Sequence, residues 1–245
     1  MENLSNILAD LKKINDSTNI ECWIPSVGRT APFKLMSVKQ QQDIIKTLSN
    51  NTVDNIRTIN AVNEILMANC TSEKLNIIDR DVVLLQYRIN DASVSEEEKE
   101  RITAALDAFK IKYAEADVNN FEANRFEKYG IKIKVAIPSI ERDTQFNTAF
   151  IDVLAPLKNK DAIESLPVLY MLQIIKFIEQ IDTPIFTFKF DNFKDVSQYR
   201  QIIENIPTDL NSLILNYAKK VQATFIDAIK AQNIELQSTA IIQSW

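Results

Sequence analysis

The stretch Glu21-Cys-Trp-Ile-Pro-Ser-Val-Gly-Arg-Thr-Ala-Pro-Phe33 holds one of only two glycines in a chain of 245 residues, together with a tryptophan, two prolines and an arginine. Downstream, Ala136-Ile-Pro-Ser-Ile-Glu-Arg-Asp-Thr-Gln-Phe146 repeats its pattern. Aligned at Ile-Pro-Ser, the segments from Ile24 to Phe33 and from Ile137 to Phe146 share the tripeptide, an arginine three residues past the serine, and the final phenylalanine. In each, an apolar extended run meets a proline that cannot continue a central strand, and a serine can bond a nearby backbone amide. The pattern predicts two strand-loop-helix units whose strands share one small sheet, with Arg29 and Arg142 at matching loop positions. Their planar forks suit a carboxylate or several carbonyls.

Helical spacing fills most of the remainder. Leu4, Ile7, Leu8, Leu11 and Ile14 mark a short amphipathic helix. Ser37 with Gln40 forms a capping box that opens a second helix, and Val53, Ile56, Ile59, Val62 and Leu66 stripe a third. Asp79 reads as the N-cap of a fourth, with Asp81 in its first turn. Ser95 and Glu98 open the longest, whose seam runs through Ile102, Leu106, Phe109, Tyr113 and Ala116. Gly130 precedes the alternating strand Ile131–Ile137; a helix follows it, then a buried helix from Leu166 to Ile181. A third strand is expected at Ile185–Phe190, and two more helices after it. The fold class is mainly α with a small β-sheet (α+β), the two units being surrounded by helices. Three regions are expected: 1–92, strand plus helices; 93–160, the long helix and the second unit; and 161–245, helical.

Composition narrows the function. No histidine is present, which removes the usual Ser-His and Cys-His triads and the commonest nitrogen ligand of transition metals. Two glycines allow neither a dinucleotide loop nor a phosphate loop. Cys22 and Cys70 make neither a disulfide framework nor a metal site alone, and fit a reducing cytoplasmic compartment. A net charge of -5 gives no general attraction for nucleic acid or anionic membrane. The chain opens without a secretory pattern, and the Leu166–Ile181 run is interrupted by Gln173, Lys176, Glu179 and Gln180, unlike a membrane span. Glu96, Glu97 and Glu98 suit a helix N-terminus. No cofactor or metal is expected, and the expectation is a protein that is not an enzyme.

Ile24-Pro-Ser-Val-Gly28, the capped helix Ser37–Ile45, Cys70, Asp79-Arg-Asp-Val-Val-Leu-Leu-Gln-Tyr-Arg88 and the second Ile-Pro-Ser at 137–139 together carry a resemblance. Over about the first 155 residues the chain resembles the baseplate hub assembly proteins of T-even-like contractile-tailed bacteriophages. The resemblance implies a chaperone or scaffold that works in the host cytoplasm or in the virion tail baseplate. Its partners would be hub, tape-measure or other baseplate proteins, without nucleic acid or membrane. The oligomeric state stays open.

Trp23, Pro25, Arg29, Phe33, Arg142 and Trp245 are the candidate partner contacts, because aromatic and arginine anchors are enriched at binding hot spots. Ordinary core packing is the competing reading of each aromatic, and bracing of their own loops is the competing reading of Arg29 and Arg142. Two other functions stand beside the baseplate reading: a helical interaction module unrelated to phage tails, and a magnesium-dependent carboxylate enzyme, which would need three or more carboxylates converging in one pocket.

Overall fold

A computed structural model describes residues 2–47, 52–70, 72–116, 125–154, 170–171, 174–191 and 196–232. Among them are α1 (Glu2–Ser17), β1 (Asn19–Ile24), β2 (Arg29–Lys34), α2 (Val38–Thr47), α3 (Thr52–Asn69), α4 (Ile77–Ile89) and α5 (Glu96–Ala116). Then come β3 (Arg125–Lys128), β4 (Ile131–Val135), α6 (Ile140–Leu154), β5 (Ile178–Asp182), β6 (Thr187–Lys189), α7 (Val196–Glu204) and α8 (Thr208–Lys230). The mainly helical α+β class holds.

Local chemistry sets the helix starts. Gln40 N–H donates to Ser37 Oγ while Ser37 N–H donates to Gln40 Oε1, the reciprocal capping box read from the sequence. At α5, Glu98 N–H donates to Ser95 Oγ, but the Glu98 carboxylate pairs with Arg88 instead of completing a box. The α5 seam is buried at Ile102, Leu106, Phe109 and Tyr113. Along α8 the buried line includes Leu210, Ile214, Tyr217, Val221 and Phe225, and Leu213 turns outward.

The strands depart from the single expected sheet. β1 pairs antiparallel with β2 in a two-stranded hairpin, Ile24 opposite Arg29, and the other four strands form a separate antiparallel sheet in the order β3-β4-β5-β6. The first Ile-Pro-Ser therefore leads into a strand, not a helix; only the second, which runs from β4 into α6, is a strand-loop-helix unit. Gly28 takes φ +67 in the hairpin turn, a conformation glycine adopts without strain. Pro32 lies inside β2, opposite Glu21, which a two-stranded sheet tolerates because both strands are edges.

Two further corrections concern the C-terminal half. The expected helix to Ile181 ends early: residues 174–175 are helical and Ile178–Asp182 is β5, so a run with helical spacing ends as a strand paired to β4. β3, hidden in a charged stretch, pairs with β4 across the Tyr129-Gly130 turn. Phe126, Ile133, Ile181 and Phe188 form one cross-strand row that packs against the core. This sheet draws strands from both sides of the expected boundary at residue 160, and one hydrophobic cluster runs from Cys22 to Ile229.

Candidate functional site: two loops on one helix end

Both Ile-Pro-Ser segments converge on the start of α4. The helix is capped by Asn76, whose Oδ1 accepts from Ile78 N–H (2.9 Å) and Asp79 N–H (3.0 Å). Asp79 is thus the third helical residue and not the N-cap, because Asn76 holds the extended backbone before the first turn and its side chain already takes the free amides there. Its buried carboxylate accepts from Asn76 N–H (2.7 Å) and reaches across to the first loop. Ser26 N–H donates to Asp79 Oδ1 (2.9 Å) and Ser26 Oγ to Oδ2 (2.6 Å). Burial pushes the Asp79 carboxyl upward, and the hydrogen bonds from Ser26 and Asn76 work against that rise.

From the other side, Ile77 N–H donates to Pro138 O (3.1 Å) and Ile140 N–H to Leu75 O (2.9 Å), bracketing an Asn76–Ser139 bridge. Ser139 Oγ then accepts from Arg142 N–H (3.1 Å) at the start of α6. Arg142 Nε donates to Lys176 O (3.1 Å) and its Nη2 to Ile178 O (2.6 Å), and the guanidinium lies 4.9 Å from the Phe146 ring centroid. Behind it, buried Asp143 binds Arg80 and Lys176, each at 2.9 Å, and accepts from Asn63 Nδ2 at 3.2 Å. Burial would raise this carboxyl; the Lys176 and Arg80 charges and hydrogen bonds outweigh it and hold it at about 2. A polar seam continues between α3 and α6, where Asn147 Nδ2 donates to Asn60 Oδ1 (3.0 Å) and Asn63 Nδ2 to Thr144 Oγ1 (3.0 Å).

The six sequence-chosen residues separate accordingly. Phe33 is a core ring set edge-on to Tyr87, and Pro25 is buried, so neither offers a face to a partner. Arg142 is spent on two carbonyls of its own chain. Arg29 is exposed and bonds Glu73 at 2.6 Å. Trp23 is half-buried: it meets Phe109 edge-on at 6.1 Å, carries Lys110 Nζ 5.3 Å from its ring centroid, and its backbone N–H donates to Gln86 Oε1 while its carbonyl accepts from Gln86 Nε2. Trp245 lies outside the described residues. Trp23 and Arg29 are thus the described members with surface to share.

Features the sequence reading passed over lie elsewhere on the surface. The β5–β6 turn displays Ile185 and Phe186, 80% and 74% exposed, locked by Thr183 N–H to Phe186 O (2.7 Å) and Phe186 N–H to Thr183 Oγ1 (3.0 Å). Exposed Tyr129 lies in the neighbouring β3–β4 turn. Close by, a groove of about 700 Å³ is lined by Ile131, Ile181, Ile202 and Ile206 with Thr183, Gln198, Gln201 and Asn205. The Ile185-Phe186 pair was the available signal, read only as the start of a strand. Among the described residues, no three His, Cys, Asp or Glu side chains gather in a metal-holding group, and no helix is long and apolar enough to cross a membrane.

Comparison with known families adds the deciding observation: residues 17–235 match the family described as T4 bacteriophage base plate protein. The chain belongs to that family. No curated protein and no solved structure matches it. Membership gives this baseplate-family chain a baseplate-related role, and it removes the reading of a helical module unrelated to phage tails. The matched residues contain the whole α4 junction, whereas α1 falls almost wholly before them.

Proposed function

We propose that the protein is a phage tail baseplate hub assembly factor or a structural baseplate subunit, acting through protein contacts without catalysis. Membership of the base plate family carries this reading. The chemistry of the junction agrees with it: Asp79 and Asp143 are committed to hydrogen bonds and ion pairs inside the fold. Exposed large apolar side chains stand at the Ile185-Phe186 turn, at Tyr129 and along α1. Exposed apolar groups displayed on a rigid turn suit recognition, because their ordering cost is met before a partner arrives. Hub and tape-measure proteins, together with other baseplate proteins, are the proposed partners, met in the host cytoplasm or in the tail baseplate.

Affinity purification of a tagged chain from infected cells tests this, with mass spectrometry of the bound proteins and of purified virions. Tail proteins in the eluate without the chain in virions identify a transient assembly factor; the chain in virions identifies a structural subunit. Finding neither refutes the proposal.

A further inference from the structure

β5 is a strand made from a segment with the spacing of a helix. Residues 170–171 and 174–175 are helical, and the buried residues Met171, Ile174, Ile175, Ile178 and Ile181 fall three or four apart straight through the change to strand. A regular strand buries every second residue, yet Glu179 and Gln180 both stand between the buried pair Ile178 and Ile181. The sheet absorbs the mismatch with a shift in register: Lys134 faces Gln180 and Val135 faces Ile178, which leaves Glu179 with no residue opposite. No glycine or proline stands between Phe177 and Thr183, and the first residue that would end a helix is Pro184.

What stops the helix is tertiary. Phe177 N–H donates to Ile174 O at 3.1 Å and closes the last turn. A continuing helix would give the next three carbonyls, of residues 176, 177 and 178, to the N–H groups of Gln180, Ile181 and Asp182. All three are taken instead by the segment that joins β4 to α6. Lys176 O accepts from Arg142 Nε at 3.1 Å, Phe177 O from Ala136 N–H at 2.9 Å, and Ile178 O from Arg142 Nη2 at 2.6 Å. Asp143, the next residue, holds the Lys176 ammonium at 2.9 Å. Any helix end needs partners for its last carbonyls, so capping accounts for these bonds. It does not account for the helical spacing that runs on beyond the cap.

We infer that residues 176–182 are a conformational switch: the β5 strand is one state, a helix continued through Asp182 is the other, and Arg142 with Asp143 is the latch that holds the strand. Two packings of one segment can lie close in free energy when local spacing favours one and tertiary bonds the other. In the helical state Ile178 and Ile181 extend the stripe of Met171 and Ile174. β4 then keeps β3 alone, and β6 loses its one neighbour in the sheet. The four-stranded sheet is therefore the part that opens and closes. This device follows from the fold and stands or falls separately from the baseplate reading.

The test uses the full-length chain, isotope-labelled, and reads the α-carbon chemical shifts of residues 178–182, which move to opposite sides of the random-coil value in strand and helix. Wild type should read as strand. Arg142→Met keeps a stem over the Phe146 ring and removes both donors; its shifts should cross to the helical side in a protein that still unfolds cooperatively. Arg142→Lys keeps the charge but lacks the fork that spans two carbonyls, and should move the shifts the same way by less. Shifts that stay on the strand side in both variants, or fall to random-coil values, overturn the inference and leave Arg142 an ordinary helix cap. Helical shifts in wild type overturn it as well, and so does loss of the whole fold in both variants without helical shifts at these residues.

Discussion

Ser26 gives both its backbone N–H and its hydroxyl to the Asp79 carboxylate, across 53 residues of sequence, at 2.9 and 2.6 Å. One buried side chain thereby ties the β1–β2 turn to the first turn of α4. Removing either partner leaves polar groups stranded. Ser26→Ala should cost about 1–2 kcal/mol and Asp79→Ala about 3–5 kcal/mol in urea denaturation, since Asp79 serves three donors and Ser26 one acceptor. Equal losses from the two would contradict this account of the turn.

Asp143 faces two cations in a buried setting. Replacing it by Asn leaves Arg80 and Lys176 without their shared anion, and a loss on the order of 3–5 kcal/mol is expected in equilibrium unfolding. A companion change of Asn63→Ala, which removes a neutral donor from the same carboxylate, should cost less.

The same carboxylate sets part of the acid limb of stability. Its folded value of about 2 lies below the ordinary 3.8, so between these two pH values the unfolded chain binds more protons than the folded one. Stability from Asp143 is fully present above about pH 4 and lost as pH falls towards 2, on the order of 2–3 kcal/mol in all. Asp79 acts in the opposite sense: its raised value means that ionisation above 3.8 weakens the folded state. Urea midpoints at pH 4, 3 and 2 should fall steeply for wild type and more gently for Asp143→Asn.

Cys22 is fully buried in β1, and burial, with Cys70 and Glu21 adding to it, pushes its thiol up to about 12. Cys70 is buried as well. Neither should react with a thiol-specific disulfide reagent in the native protein at pH 8, and both should react once it is unfolded in urea. Rapid native labelling of Cys22 would contradict its placement.

Two glycine replacements should differ in a way the surroundings dictate. Gly28 and Gly130 both hold positive φ, which strains an alanine by about 1 kcal/mol. Around Gly28 a new Cβ meets nothing within 4 Å, whereas at Gly130 it comes 3.3 Å from Pro184 Cγ in the adjoining turn. Gly130→Ala should therefore destabilise more than Gly28→Ala, with thermal unfolding as the measurement.

Much of the helical frame was legible because it rests on local rules. The Ser37–Gln40 box and the α5 seam follow from side chains three or four residues apart, and both appear as read. Strands were harder. β5 carries helical spacing, β3 is short and charged, and β2 contains a proline that elsewhere would end a strand. Phe33 and Arg142 were chosen for chemistry that suits interfaces, and the same chemistry serves a core ring and a brace for two carbonyls.

From sequence came the α-rich class, the helix registers and the family resemblance, all of which depend on residues near one another in the chain or on motifs preserved as strings. Only the tertiary structure decided that the two Ile-Pro-Ser loops, alike in letters, differ in form. One closes a hairpin and the other opens a helix, and they meet on opposite sides of the Leu75–Asp79 segment. That outcome turns on which distant donors reach the Asp79 carboxylate and which strands find partners. The Ser26–Asp79 contact brings together residues 53 positions apart, and local spacing carries no information about it.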